Sequence, residues 1–219
     1  MFSARVWCGP ARCGPAVLNC GDLEVPEYRS WAGGGPNPLK FMSKVSPADG
    51  SYHGSLVRFL LISALSLFIG AMHGMLQVLP PIRAWLDSIG SPFGGPGHMI
   101  DPLAHAHINL VGGVVMLVMG VTYYLLPILS GRAIYSLRLV RHSFWLMTLG
   151  VFSFYAVLMV FGIWEGNLMF QDRVALTAVH RWYGTLVAVA STVMAAGFMV
   201  YFANVALTML SRPPASDEV

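Results

Sequence analysis

The chain has 219 residues, of which 56% are hydrophobic and only 11% charged, with a formal charge of +3 and a mean hydropathy of +0.63. That balance excludes an ordinary water-soluble domain, whose charged share runs to about a quarter. It also excludes a nucleic-acid partner, because the few basic residues are spread along the flanks of apolar runs.

In chain order, residues 1–54 form a polar N-terminal segment. Its three cysteines, Cys8, Cys13 and Cys20, lie in a Gly/Pro-rich leader and lack the paired CxxC spacing of a zinc site. Residues 1–41 read as disordered, and an internal start at Met42 fits the polar run Ser43-Lys44-Val45-Ser46-Pro47. No apolar stretch follows the early arginines, so no cleavable signal peptide is expected.

Four runs then escape charge long enough to cross a hydrocarbon core, which takes about 20 residues at a helical rise of about 1.5 Å. They cover 59–82, 102–131, 142–164 and 182–211, the last extended back towards Val174. No run alternates with period two, and lipid admits only helices or closed barrels. The expectation is an all-α membrane protein, an antiparallel bundle of four transmembrane helices over 55–211, with a tail at 212–219. Pro80-Pro81 should end the first helix. Residues 83–101 should be a Gly/Pro-rich connection that starts with an interfacial turn at Trp85. Asp101-Pro102 and Asp172 read as helix starts, and Gly112, Gly113, Gly120, Gly184, Ser191 and Gly197 as sites of close helix contact.

Lys and Arg cluster before the first helix (Lys40, Lys44 and Arg58 among them), in the middle connection (Arg132, Arg138 and Arg141) and at Arg212 after the fourth. The other two connections carry only Arg83, and Arg173 with Arg181. The positive-inside rule then predicts both termini in the cytoplasm, in a bacterial-type inner membrane.

Seven histidines stand out in so apolar a chain. His53 and His98 fall in polar surroundings, and His142 sits beside Arg141 at an interface. Threading brings the other four, His73, His105, His107 and His180, towards the outer, periplasmic side from three separate segments. Ionisable groups in a membrane are costly and mark partners or function. Each imidazole has two readings: a hydrogen bond to a neighbouring helix carbonyl, or an axial bond to haem iron. The pair His105-Ala106-His107 points to nearly opposite sides of its helix, since residues two apart differ by about 200°. A shared zinc ion is disfavoured, because ligands on one helix usually stand three or four apart.

The second helix resembles a known family. His105-Ala106-His107-Ile108-Asn109-Leu110-Val111-Gly112-Gly113, continuing through Met119-Gly120-Val121-Thr122-Tyr123-Tyr124-Leu125-Leu126-Pro127, looks like the tenth helix of subunit I of the haem-copper oxidase superfamily. The closest flavour is its cbb-type cytochrome c oxidase and nitric oxide reductase branch. His73-Gly74-Met75-Leu76 resembles the preceding helix, and the third and fourth helices here resemble the last two more loosely. The resemblance implies that His105 matches the high-spin haem ligand and His107 the low-spin one. It also implies what is missing: a full subunit I has many more helices, and they supply the copper or iron-centre histidines and the other low-spin ligand. By itself the chain is not expected to reduce oxygen or nitric oxide.

Two functions follow. In one, the chain carries one or two b-type haems, with His73 or His180 supplying a second axial ligand and Arg173 and Arg181 meeting propionates. It then passes electrons within a respiratory complex, with other subunits or cytochrome c as partner. In the other, it is a structural or assembly subunit without haem. A homotrimer that imitates the larger family bundle is a further expectation.

Overall fold

A computed structural model describes residues 50–211, with side chains from Tyr52 onward, all within one compact unit. The readings of residues 1–49 and of the tail 212–219, including the three cysteines and the start at Met42, lie outside the described residues. Within them the chain is all helix and has no strand. Four helices are long and apolar enough to span a membrane.

The first, α1, covers Gly50–Gln77 and starts well before 59. Its early turns are anchored in the bundle, with Phe59 fully buried and the Tyr52 hydroxyl donating to the carbonyl of Tyr123 (2.6 Å). Arg58 is therefore a side chain on the helix rather than a mark of its limit. Farther along, Ser63 donates to the carbonyl of Gly113 (2.8 Å). A Cβ on Gly112 would lie 2.7 Å from the Ser66 hydroxyl. The absence of a side chain is what lets the two helices approach so closely.

As expected, α1 stops just before Pro80-Pro81, at Gln77, but the prolines do not start an irregular connection. They open a short helix, α2, Pro80–Ser88. Leu79 before it is extended (φ −64°, ψ 128°), the conformation a following proline imposes. A missing amide costs nothing in a first turn. Leu86 within α2 and Ile89 just after it are completely buried. The bend after it is held by backbone bonds from Ser91 to Leu86, Gly94 to Gly90 and Gly97 to Ile89. Gly90 (φ +101°) supplies the left-handed turn this requires.

The second long helix, α3, is the helical stretch Gly95–Ser130. Its course is interrupted at Asp101, which is extended (φ −130°, ψ 114°) before Pro102. Ile108–Val115 is wound as π-helix, a local widening often found at functional sites. Gly131 in the left-handed conformation (φ +65°) ends it, its amide donating to Pro127 (3.0 Å).

The third, α4, covers Leu137–Leu168 and is capped by Ser136; the fourth, α5, covers Arg173–Leu210 and is capped by Asp172, which accepts from Val174 and Ala175 (2.9 and 3.0 Å). The two pack along each other at small residues. A Cβ on Gly150 would lie 2.6 Å from the Met194 backbone, and one on Gly197 2.8 Å from Met147. Buried Asn204 and Thr208 on α5 hold the middle connection. Asn204 takes the amide of Ser136 and donates to its carbonyl (3.1 Å each), and Thr208 takes the amide of Tyr135 (3.0 Å).

Candidate functional site

His73, near the end of α1, is buried and lies beside His105 of α3, their ring centroids 5.5 Å apart. Gln77, one turn beyond His73 and also buried, joins the two. The carbonyl of Ile100 can only accept, so the Gln77 amide nitrogen faces it (3.3 Å). The same nitrogen donates to His73 Nε2 (2.9 Å), and Gln77 Oε1 accepts from His105 Nδ1 (2.9 Å). His73 Nδ1 is left to donate to the hydroxyl of Tyr155 on α4 (3.4 Å). A single amide thereby sets the proton positions of both rings.

The floor under His105 is Gly74. A Cβ there would lie 2.7 Å from His105 Cε1. One turn earlier, Gly70 leaves the space filled by Asn109, whose side chain donates to the carbonyl of His105 (2.9 Å).

His107 points elsewhere, as the 200° relation requires. Its ring lies tilted against Phe154 of α4, the centroids 4.5 Å apart, and its Nδ1 donates to the carbonyl of Leu103 (2.9 Å). His180 on α5 is held by Glu165 on α4, whose carboxylate oxygens lie 3.0 and 3.2 Å from Nδ1. Glu165 is buried while His180 is 58% exposed, and the imidazole lies against Tyr183. The four histidines thus form one contacting pair, His73 with His105, and two separately tethered rings. No group of three His, Cys, Asp or Glu side chains gathers as a metal-ion site among the described residues.

Arg173 and Arg181 are exposed along an open groove with Val174, Thr177 and Ala178. Arg181 lies 5.9 Å from the ring of Trp182. Neither pairs with a carboxylate among the described residues, unlike Arg83. That arginine bridges Asp87 and Asp101 (2.5 and 2.7 Å) and ties α2 to the break in α3. The hydrogen bonds it donates to Asp87 and then to Asp101 raise its already high pKa further. Asp101 therefore spends its carboxylate on Arg83 and Ser91 rather than on the helix start it was expected to cap.

Three polar residues of the site escaped the sequence reading. Gln77 stands one turn from His73, and that spacing was its only signal. Tyr155 sat unmarked among aromatic residues. Glu165, beside Trp164 late in α4, is 2% exposed and paired, and nothing in its sequence surroundings marks that burial.

Haem places specific demands on a ligand: a neutral imidazole with its Nδ1 proton held by an acceptor and its Nε2 lone pair free. His105, His107 and His180 each present that arrangement, to Gln77, Leu103 and Glu165 respectively. His73 does not fit as a ligand, because Gln77 and Tyr155 engage both its nitrogens.

Residues 102–175 match the family model of cytochrome c and quinol oxidase polypeptide I. Similar proteins include cytochrome c oxidase subunit 1 of Rhodobacter capsulatus, 35% identical over 128 residues, which covers 51% of this chain and 24% of that protein. A cytochrome c oxidase subunit 1 homolog of Agrobacterium tumefaciens is 33% identical over 121 residues, 50% of this chain and 22% of its own length. The cbb3-type subunit CcoN1 of Stutzerimonas stutzeri is 25% identical over 172 residues, 73% of this chain and 34% of its own. The chain thus spans between about a fifth and a third of the relatives it matches. Over that part of its length the chain is similar to subunit I of the haem-copper oxidase superfamily.

Proposed function

We propose that this chain is a haem-b-binding electron-transfer subunit of a respiratory membrane complex. His105 and His107 are its principal axial ligands, and His180 is a further ligand on α5. One observation carries the reading: both rings of the His-x-His pair have Nδ1 pinned to an amide oxygen, so that both Nε2 lone pairs are free. Haem, when bound, supplies an iron that changes oxidation state by one electron. The protein fixes ring orientation through Gln77 and Leu103, and the apolar surroundings of Phe154 limit water around His107. Exposed and unpaired, Arg173 and Arg181 suit the carboxylates of a haem edge or of an acidic partner.

This assignment includes a topology. Both termini lie in the cytoplasm, the bundle is antiparallel and the histidines face the periplasm. The order of contacts supports the antiparallel arrangement of α4 and α5: Gly150 meets Met194, Gly197 meets Met147 and Glu165 meets His180, so that one helix descends as the other rises. The chain does not by itself complete an oxidase centre. Its partners are lipid and other respiratory subunits or a cytochrome c, and a homotrimer is the alternative assembly. A native mass in detergent of one chain alone would remove that trimer.

The test is a reduced-minus-oxidised spectrum with a pyridine haemochrome assay on purified protein. A Soret band and a b-type haemochrome are expected, and His107→Ala should abolish the low-spin signal. No haem in the wild-type preparation would sink the proposal. It would favour the second reading, a structural or assembly subunit without haem. One feature supports that reading too: all four imidazoles find partners inside the chain.

A further inference from the structure

The geometry points to Gln77 and His73 as a positioning relay that sets the proton on His105, and so the ligand strength of that imidazole. The inference rests on the haem reading above. Neither residue ligates; each acts through a bond it makes to another group.

The directions of the bonds follow from one fixed point. Ile100 offers a backbone carbonyl, which only accepts, so the Gln77 amide nitrogen turns towards it (3.3 Å). The Gln77 carbonyl oxygen must then face His105 Nδ1 (2.9 Å), and an oxygen that only accepts obliges Nδ1 to carry the proton. On the other side the amide nitrogen donates to His73 Nε2 (2.9 Å), so that neutral His73 carries its proton on Nδ1, towards Tyr155 (3.4 Å). The Ile100 carbonyl thereby opposes the flip of Gln77 that would present an N–H to His105, and His73 adds a second acceptor for the amide in the unflipped orientation. Gln77 and His73 are both buried, so water does not compete for these bonds.

An acceptor on Nδ1–H gives the imidazole partial imidazolate character, which makes it a stronger donor to oxidised iron. Gln77 therefore holds the haem potential below the value an untethered His105 would give. A carboxylate at 77 accepts more strongly and should lower it further. An apolar side chain at 77 should raise it.

Nitrogen NMR of histidine-labelled protein in detergent, before haem is added, tests the relay directly. Wild type should show His105 and His73 as Nδ1–H tautomers, and Gln77→Leu should return His105 to a mixture. Tyr155→Phe should loosen His73 while His105 keeps its proton on Nδ1. In haem-loaded protein, the midpoint potentials should run Gln77→Glu below wild type and wild type below Gln77→Leu. A wild-type His105 protonated on Nε2, or potentials that do not move in loaded variants, would overturn the relay alone. Failure of wild type to take up haem would instead overturn the function proposed above, while the tautomers still decide whether the relay exists. Should Gln77→Leu fail to fold, Gln77→Glu and Tyr155→Phe carry the comparison.

Discussion

His180 hangs on a carboxylate that cannot easily be left alone. Glu165 is 2% exposed, and an unsatisfied buried acceptor costs about 1–3 kcal/mol. His180 itself is more than half exposed, so solvent screens the pair, and the cost should sit towards the lower part of that range. His180→Ala is therefore expected to destabilise the protein more than Glu165→Gln, because the glutamine carbonyl still accepts from His180. Thermal unfolding in detergent would show it, and equal losses for the two variants would count against the pairing. Gly74 gives a second test at this scale. Gly74→Val drives a side chain into His105, an overpacking that costs about 1–3 kcal/mol. It should also disturb the histidine NMR signals, whereas Gly54→Val, in open space on the same helix, should leave them unchanged. The histidines were legible in the sequence because ionisable residues are rare in lipid. Their partners were not, because whether Gln77, Tyr155 or Glu165 meets a given ring depends on how each helix is rotated.

The four long helices and their order follow from hydrophobic run length, but their limits do not. Arg58, Arg138 and Arg141 lie on helices that continue past the last apolar turn, since a backbone can stay helical where long side chains reach water. Pro80-Pro81 marks a real break whose position was readable, yet whose consequence was reversed: buried Leu86 and Ile89 make the following residues a helix. Close helix contact was readable as small residues, but not which of them touch. Gly150, absent from the residues singled out in the sequence, and Gly197 lie within contact distance of the facing helix, while Gly184 meets open space. Gly150→Leu and Gly197→Leu should each cost about 1–3 kcal/mol or more by forcing α4 and α5 apart. Gly184→Leu should be close to neutral unless another subunit covers that surface. Chemical unfolding of the three variants checks the α4–α5 packing, and a Gly184 variant as damaging as the other two would contradict it in the isolated chain.

At the scale of the molecule, burial within the chain is uneven. The most apolar window of α5 is 11% buried, against 39% in α3 and in α4. Most of α5 therefore meets lipid or another protein, and the chain spans only a fraction of its relatives' length. Orientation decides which side of the membrane a redox partner must approach, and it rests on charge asymmetry alone. Arg58, Arg132, Arg138 and Arg141 flank one end of the helices, while Arg173 and Arg181 flank the other, where His180 lies. In a background with Cys8, Cys13 and Cys20 replaced by serine, single cysteines at Phe93, Ala133 and Gln171 report each connection. All three positions are exposed in the chain and carry no charge whose loss would itself alter insertion. An impermeant maleimide added to intact spheroplasts should label Phe93→Cys and Gln171→Cys, and label Ala133→Cys only after permeabilisation. The opposite pattern would place the histidines at the cytoplasmic face. A periplasmic cytochrome could then no longer approach Arg173 and Arg181, and the electron partner would have to be sought on the inner side.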